Sequence, residues 1–217
     1  MKNITIIETD IVERYERRLE KFGYSPEALG WGKGGRQELR FSVLADEALK
    51  NPQSSVLDVG CGFGDLCGYL MANGWQGRYT GIDIVPGLIE IAKKRNPNAS
   101  FVLGNVSNVI DCVENHDYII SSGVFNAKIA DDNKAYIKFN MEKMFRKCNI
   151  CLCVDFMSTW VDYQQEGSWH TDPVWILETA RSLSRRLTLR IDYMPYEFSI
   201  FVYKNAEILE SSTYNLN

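Results

Sequence analysis

Apolar side chains recur at Ile11, Tyr15, Leu19 and Phe22, the i, i+4, i+8 stripe of an amphipathic helix. Asp10 is placed to cap that helix and Gly23 to stop it, so residues 10 to 22 read as an N-terminal cover helix. The next stretch, YSPEALGWGKGGRQ, loses the stripe and gains glycines and one proline, which predicts a lid-like loop. It feeds a helix over about Glu38 to Lys50, and Asn51-Pro52 breaks it.

Beyond that break the pattern alternates. SSVLDVG reads as a strand, Asp65 to Asn73 as a helix, RYTGIDI as a strand, Pro86 to Arg95 as a helix and SFVLGN as a strand. A weak helical segment leads to the strand DYIISSG, the helix Lys134 to Arg146 and the strand CNICLCVDF. Strands alternating with helices imply right-handed crossovers and a mostly parallel sheet. Met157 to Thr171 has no clean periodicity and reads as a loop inserted over the site. Asp172-Pro173 opens a helix to about Ser184, with proline at the first turn where a missing N–H costs nothing. RLTLRIDYM and EFSIFVYK, joined through Pro195-Tyr196, predict an antiparallel hairpin. The division expected is one domain over 1–217, with a helical cover and lid at 1–50, a core at 54–204 and a polar tail at 205–217.

Composition narrows the picture. Hydrophobic residues are 45% and charged residues 24%, ordinary globular usage, so the chain can bury a real core. A net charge of −4 argues against a nucleic-acid partner, since phosphate binding draws on Lys and Arg. No apolar run approaches the ~20 residues of a membrane span, and the start lacks a secretory signal, so a cytoplasmic protein without a membrane partner is expected. The six cysteines fall mostly in apolar segments and read as free thiols. Cys148, Cys151 and Cys153 share a strand-like run with no second Cys/His pair at ligand spacing, so no metal is expected.

The candidate chemistry lies at VLDVGCGFGD, residues 56 to 65, an apolar strand running into a glycine turn directly before a helix. Glycines let such a turn close and let a ligand approach the main chain. Asp83 ends the next strand, where a carboxylate can accept both hydroxyls of a ribose. The glycines follow G-x-G-x-G, not the dinucleotide G-x-G-x-x-G, and Asp65 then stands where a phosphate would be repelled. Asp58 adds a further negative group suited to a cation. A nucleoside with a sulfonium and an ammonium but no phosphate, S-adenosylmethionine, fits this charge pattern.

With these stretches, together with YTGIDIVPGLIEIAKKR at 79 to 95, FVLGN at 101 to 105 and DYIISSGVF at 117 to 125, the chain resembles the class I S-adenosylmethionine-dependent methyltransferases over about residues 54 to 204. The resemblance implies a doubly wound α/β fold with seven strands in the order 3-2-1-4-5-7-6. It also implies that Gly60, Cys61 and Gly62 border the cofactor's amino-acid part, that Asp58 lies near its ammonium, and that Asp83 holds the ribose. Ile84 would flank the adenine and Ser121 would end the fourth strand beside the cofactor. Asn105 stands where the family usually has an Asp touching the adenine amine, and it is equally an ordinary turn residue. Arg40 is the candidate partner for the cofactor carboxylate, ahead of Lys33 and Arg36.

Methyl transfer mainly requires alignment of an acceptor atom and exclusion of water, with a base where the acceptor is a hydroxyl. His170, in the insert, and Asp155, at the end of the fifth strand, are the candidate catalytic groups. His116 precedes the fourth strand on the edge away from the cofactor and is set aside. Trp31, Trp160, Tyr163, Tyr193 and Tyr196 are the candidate acceptor contacts, since rings suit a planar or apolar substrate. The expected activity is methylation of a small molecule, at O or N, by a monomer or homodimer. Its rivals are a cofactor-binding scaffold without turnover, a nicotinamide dehydrogenase, and a nucleic-acid amine methyltransferase. The last would carry Asn or Asp and Pro-Pro-aromatic where this chain reads Ser121-Ser122-Gly123-Val124.

Overall fold

The computed structural model describes residues 2–31, 36–129 and 132–205. Lys33 and the tail beyond Asn205 lie outside them. The N-terminal part holds α1 (Lys2–Phe22), α2 (Arg36–Leu44) and α3 (Asp46–Leu49). The cover helix therefore begins eight residues before Asp10, and the helix expected over Glu38 to Lys50 is two, divided at Ala45. Then follow β1 (Val56–Val59), α4 (Asp65–Ala72), β2 (Tyr79–Asp83), α5 (Pro86–Arg95), β3 (Ser100–Leu103), α6 (Val106–Val109) and β4 (His116–Ser121). The remainder is α7 (Asn133–Lys147), β5 (Cys148–Met157), α8 (Pro173–Leu183), β6 (Leu187–Arg190) and β7 (Glu197–Tyr203).

The seven strands form one sheet in the order β3-β2-β1-β4-β5-β7-β6, with β7 antiparallel to both of its neighbours and the other pairs parallel. This is the doubly wound order that the resemblance implies. The period-2 pleat sorts side chains to two faces. Leu57 and Val59, Ile119, and Leu152, Val154 and Phe156 enter a core under α7 and α8. Val56, Tyr118, Ile120, Cys151 and Cys153 enter the other core with Leu44, Leu66 and Leu70. The cysteine-rich strand is thus a buried strand feeding both cores, and all six cysteines are free thiols.

The first and last turns of the helices follow local chemistry. Pro86 and Pro173 open α5 and α8, and Asp172 Oδ1 accepts from Val174 N. A third, smaller cluster of Ala28, Phe63, Val85 and Leu88 is covered by Tyr15 and Leu19 of α1. Glu16 adds a polar anchor, its Oε1 accepting from Gly87 N over 2.9 Å at the start of α5. The cover helix is thereby docked over the start of α5 and the glycine turn, at the carboxyl edge of the sheet, the side of an open sheet where ligands bind.

Candidate active site

The glycine turn is closed by β2. Gly60 N and Cys61 N both donate to Ile82 O, at 2.8 and 3.0 Å. Gly60 has φ of +78°, and a Cβ there would stand 2.1 Å from Val124 Cγ2, so only glycine serves. Asp83 sits against the turn from the next strand. Its Oδ2 accepts from Gly62 N over 2.8 Å and its Oδ1 from Val85 N over 3.0 Å. Burial raises its pKa, and those backbone donors oppose the rise.

Asp58, the third residue of β1, is also buried. Its Oδ2 accepts from Tyr79 Oη over 2.5 Å. Desolvation pushes its pKa up to about 7 against that bond, with Asp83 and Asp65 adding to the rise. The two carboxylates are thus held in a dry wall, and among the described residues no cation takes part in the shift of either.

A cleft of about 460 Å³ opens over this wall. Of the residues singled out in the sequence it brings together Trp31, Arg40, Asp58, Gly60, Cys61, Gly62, Asp83, Ile84 and Asn105. Asn105 caps α6, its Oδ1 accepting from Ser107 N and Oγ at 2.9 and 2.7 Å, so the turn role is realised at the cleft edge. Arg40 is 6% exposed, lies 4.0 Å below the Trp31 ring and is bonded through Nε and Nη2 to Glu197. Its Nη1 has no partner among the described residues.

Several expected residues do not reach the cleft. The wall there is Ser122 and Gly123, not Ser121, whose buried Oγ is left without a partner among the described residues. Asp155 lies behind that wall, accepting from Ser122 Oγ at 2.6 Å and Gly123 N at 2.7 Å. Burial lifts its pKa to about 6, Arg40 opposing. His170 does not line the cleft and has both ring nitrogens engaged, Nδ1 with Ser158 O at 2.8 Å and Nε2 with Gln165 N at 3.1 Å. Its task in the structure is to fold the insert. Trp160, Tyr163 and Tyr196 are exposed away from the cleft, at 55%, 78% and 49%. Tyr193 turns its hydroxyl to Ser199 at 2.7 Å.

Other lining residues come from the cover helix, from the stretch after β4 and from the insert, segments the pattern marked without singling out these side chains. Arg14, Tyr15 and Arg18 line the cleft from α1, and Arg18 Nε holds the 24–31 segment through Ala28 O at 3.0 Å. Phe125, Asn126, Tyr136 and Met157 line it from the β4 and β5 side, and Gln165, Gly167 and Ser168 from the insert. The apolar stripe marked α1 as the cover, and the i, i+4 placement of Arg14 and Arg18 beside it was the available signal for these two arginines. Phe125 closes the stretch DYIISSGVF and Met157 opens the insert, but no periodicity shows that either side chain faces the cleft.

Residues 50–186 match the model of a family described as a methyltransferase domain. A relative named "Putative methyltransferase Rv1506c", from Mycobacterium tuberculosis (strain ATCC 25618 / H37Rv), is 30% identical over 159 residues, 69% of this chain and 93% of that one. Among solved structures, magnesium protoporphyrin IX methyltransferase (ChlM) from Synechocystis PCC 6803 with bound SAM superposes with a TM-score of 0.65 at 15% identity. That match covers 91% of this chain and 97% of ChlM. The small RNA methyltransferase HEN1 superposes with a TM-score of 0.64 at 13% identity, over 79% of this chain and 26% of HEN1. The chain belongs to the methyltransferase-domain family. It is a class I methyltransferase, and its methyl donor is S-adenosylmethionine.

The residues present suit that donor. Two buried carboxylates line the cleft, an arginine nitrogen is buried without a partner among the described residues, and the main chain at Gly60 is a cradle that a Cβ would fill.

Proposed function

We propose that the protein methylates a small, uncharged molecule bound against the part of the cleft lined by Phe125, Tyr136, Met157 and the insert. The observation that carries this reading is the charge of the lining. Among the described residues, every lining residue from Phe125 to Ser168 is uncharged, whereas Arg14, Arg18, Arg36, Arg40, Asp58 and Asp83 all come from earlier parts of the chain. Glu197, the remaining charged lining residue, is bonded to Arg40. Placing an ionised acceptor against the uncharged part would cost several kcal/mol of desolvation with nothing to offset it. Nucleic acid would ask for cations there to meet its phosphates.

When bound, S-adenosylmethionine supplies a methyl group already activated on a sulfonium. Asp83 accepts the ribose hydroxyls and Asp58 faces the ammonium. Arg40 Nη1 takes the carboxylate, Ile84 and Asn105 border the adenine, and the main chain of Gly60, Cys61 and Gly62 supports the amino-acid part. Phe125, Tyr136 and Met157 then orient the acceptor and exclude water, the work that in-line transfer asks of an enzyme. With His170 and Asp155 outside the cleft, rate enhancement comes from alignment, and acceptors that need no strong base are favoured. The residues act within one domain, with 1–50 as its cover, in the cytoplasm, as a monomer or homodimer.

The test supplies tritiated S-adenosylmethionine to the purified protein with a small-molecule extract in one arm and total RNA in the other. Label entering neutral small molecules supports the reading. Label entering RNA alone would move the chain to the nucleic-acid methyltransferases, and no label in either arm, with the cofactor bound, would favour a scaffold.

A further inference from the structure

Tyr79 is buried in the sheet and does not line the cleft, yet its hydroxyl touches a group that does. The contact follows from strand register. β1 and β2 run parallel with Val56 beside Tyr79 and Asp58 beside Gly81, so Tyr79 and Asp58 leave the same face of the sheet two residues apart. A tyrosine side chain spans that interval, and its Oη meets Asp58 Oδ2 at 2.5 Å. The ring packs beside Phe101, with centroids 5.9 Å apart, in a core where phenylalanine would fill the same space. The hydroxyl is therefore the feature that packing does not explain.

We propose that Tyr79 is a positioning residue for the methyl donor: its hydroxyl fixes one oxygen of Asp58 and keeps that carboxyl in the charged form that receives the donor's ammonium. The proposal rests on the reading of Asp58 as the ammonium's partner. The groups acting on Asp58 are Asp83 at the end of β2 and Asp65 at the start of α4, both of which favour its neutral form. The thiols of Cys61, in the turn, and Cys67, on α4, feel the Asp58 charge but bring no positive one. Ile120, its neighbour in β4, does not titrate. Burial pushes Asp58 up to about 7, and the bond from Tyr79 is the contribution that pulls the other way. Without it the carboxyl would titrate at higher pH, and less of it would be charged when it has to balance a cation.

The experiment is calorimetric titration of the full chain, wild type, Tyr79→Phe and Asp58→Asn, with S-adenosylhomocysteine and with 5′-methylthioadenosine between pH 5.5 and 8.5. The second probe keeps the nucleoside and lacks the ammonium and carboxylate. Wild-type affinity for S-adenosylhomocysteine should rise with pH through about 7 and then level. In Tyr79→Phe that rise should move to higher pH, weakening binding at pH 6 about tenfold for each unit moved and closing to within about threefold of wild type at pH 8.5. Methylthioadenosine should bind wild type and Tyr79→Phe alike. An equal loss at every pH, a matching loss for methylthioadenosine, or no loss at all would overturn the proposal and leave Tyr79 as packing. Wild-type binding that is flat with pH and unaffected by Asp58→Asn would instead remove Asp58 from the ammonium, and the reading beneath the proposal would fail with it.

Discussion

Arg40 and Glu197, 157 positions apart, face each other across the cleft, with Arg40 Nε bonded to Glu197 Oε2 at 2.5 Å and Nη2 to the second oxygen. The pair ties α2 to the first residue of β7, and Asp155 stands 3.8 Å from Nε behind it. Both side chains are nearly dry, at 7% and 10% exposure. Removing Arg40 leaves two buried carboxylates, Glu197 and Asp155, without their cation, so Arg40→Met should destabilise the fold by about 3–5 kcal/mol, whereas Arg40→Met with Glu197→Leu should recover part of it. Urea denaturation of the single and double variants measures this, and equal losses in both would mean the pair is itself strongly favourable.

Asp58 should lower the stability of the protein that carries it. Its folded pKa of about 7 lies above the usual unfolded value, so the folded state favours the protonated form. The stability that goes with protonation is fully present below about pH 4 and is lost as pH rises through about 7. Asp58→Asn escapes that loss, so it should be more stable than wild type at pH 8, by at most about 4 kcal/mol, with the advantage shrinking toward pH 5. Urea midpoints at the two pH values decide the matter. A variant that gains nothing on going from pH 5 to pH 8 would show that the carboxylate is not held in a destabilising environment.

Asp83 should behave differently, because it already serves the fold through Gly62 N and Val85 N. Asp83→Ala should cost about 2–3 kcal/mol of affinity for 5′-methylthioadenosine, since two ribose hydroxyls lose a charged acceptor. It should also lower the melting temperature, since two buried amides lose their partner. Calorimetry and a melting curve separate the two effects, and unchanged affinity in a folded variant would remove Asp83 from the ribose.

The fold was largely legible because its rules are local or topological. The pleat of VLDV and CLCVDF reads directly as two-faced burial, and strands spaced by helices leave few arrangements of a parallel sheet. The glycine turn and Asp83 were legible for the same reason, since a tight turn with a carboxylate at the next strand end is a property of a short segment. The rest of the cleft was not. Its walls depend on the path of residues 158–171, which is set by an isolated bridge between Ser158 and Thr171, another between Ala127 and Ser168, and the bond from Trp169 N to Asn126 O at 2.9 Å. Those contacts carry no periodic signal, so His170 and the aromatic residues read as site groups although the chain turns them elsewhere. Glu197 escaped notice because a carboxylate at the start of a strand looks like a solvated edge until Arg40 arrives from 157 positions away.

His170 offers a test of that correction. Ser158 O can only accept and Gln165 N can only donate, so the proton belongs on Nδ1 and the lone pair of Nε2 is used within the insert. The side chain is 8% exposed, and neither nitrogen is left to take a proton from an acceptor. His170→Ala should remove two hydrogen bonds and so lower stability by about 1–3 kcal/mol. It should loosen Gln165, Gly167 and Ser168, raising KM for the acceptor more than it lowers kcat, because those residues line the cleft while the cofactor wall is untouched. The shape of the pH–rate profile should be the same in the variant and the wild type, and S-adenosylhomocysteine affinity should stay within a few-fold. Steady-state kinetics from pH 6 to 9 decides between a scaffold and a base: if the alanine variant loses an acidic limb that wild type shows, His170 must swing into the cleft during turnover, and alignment alone is not the source of the rate.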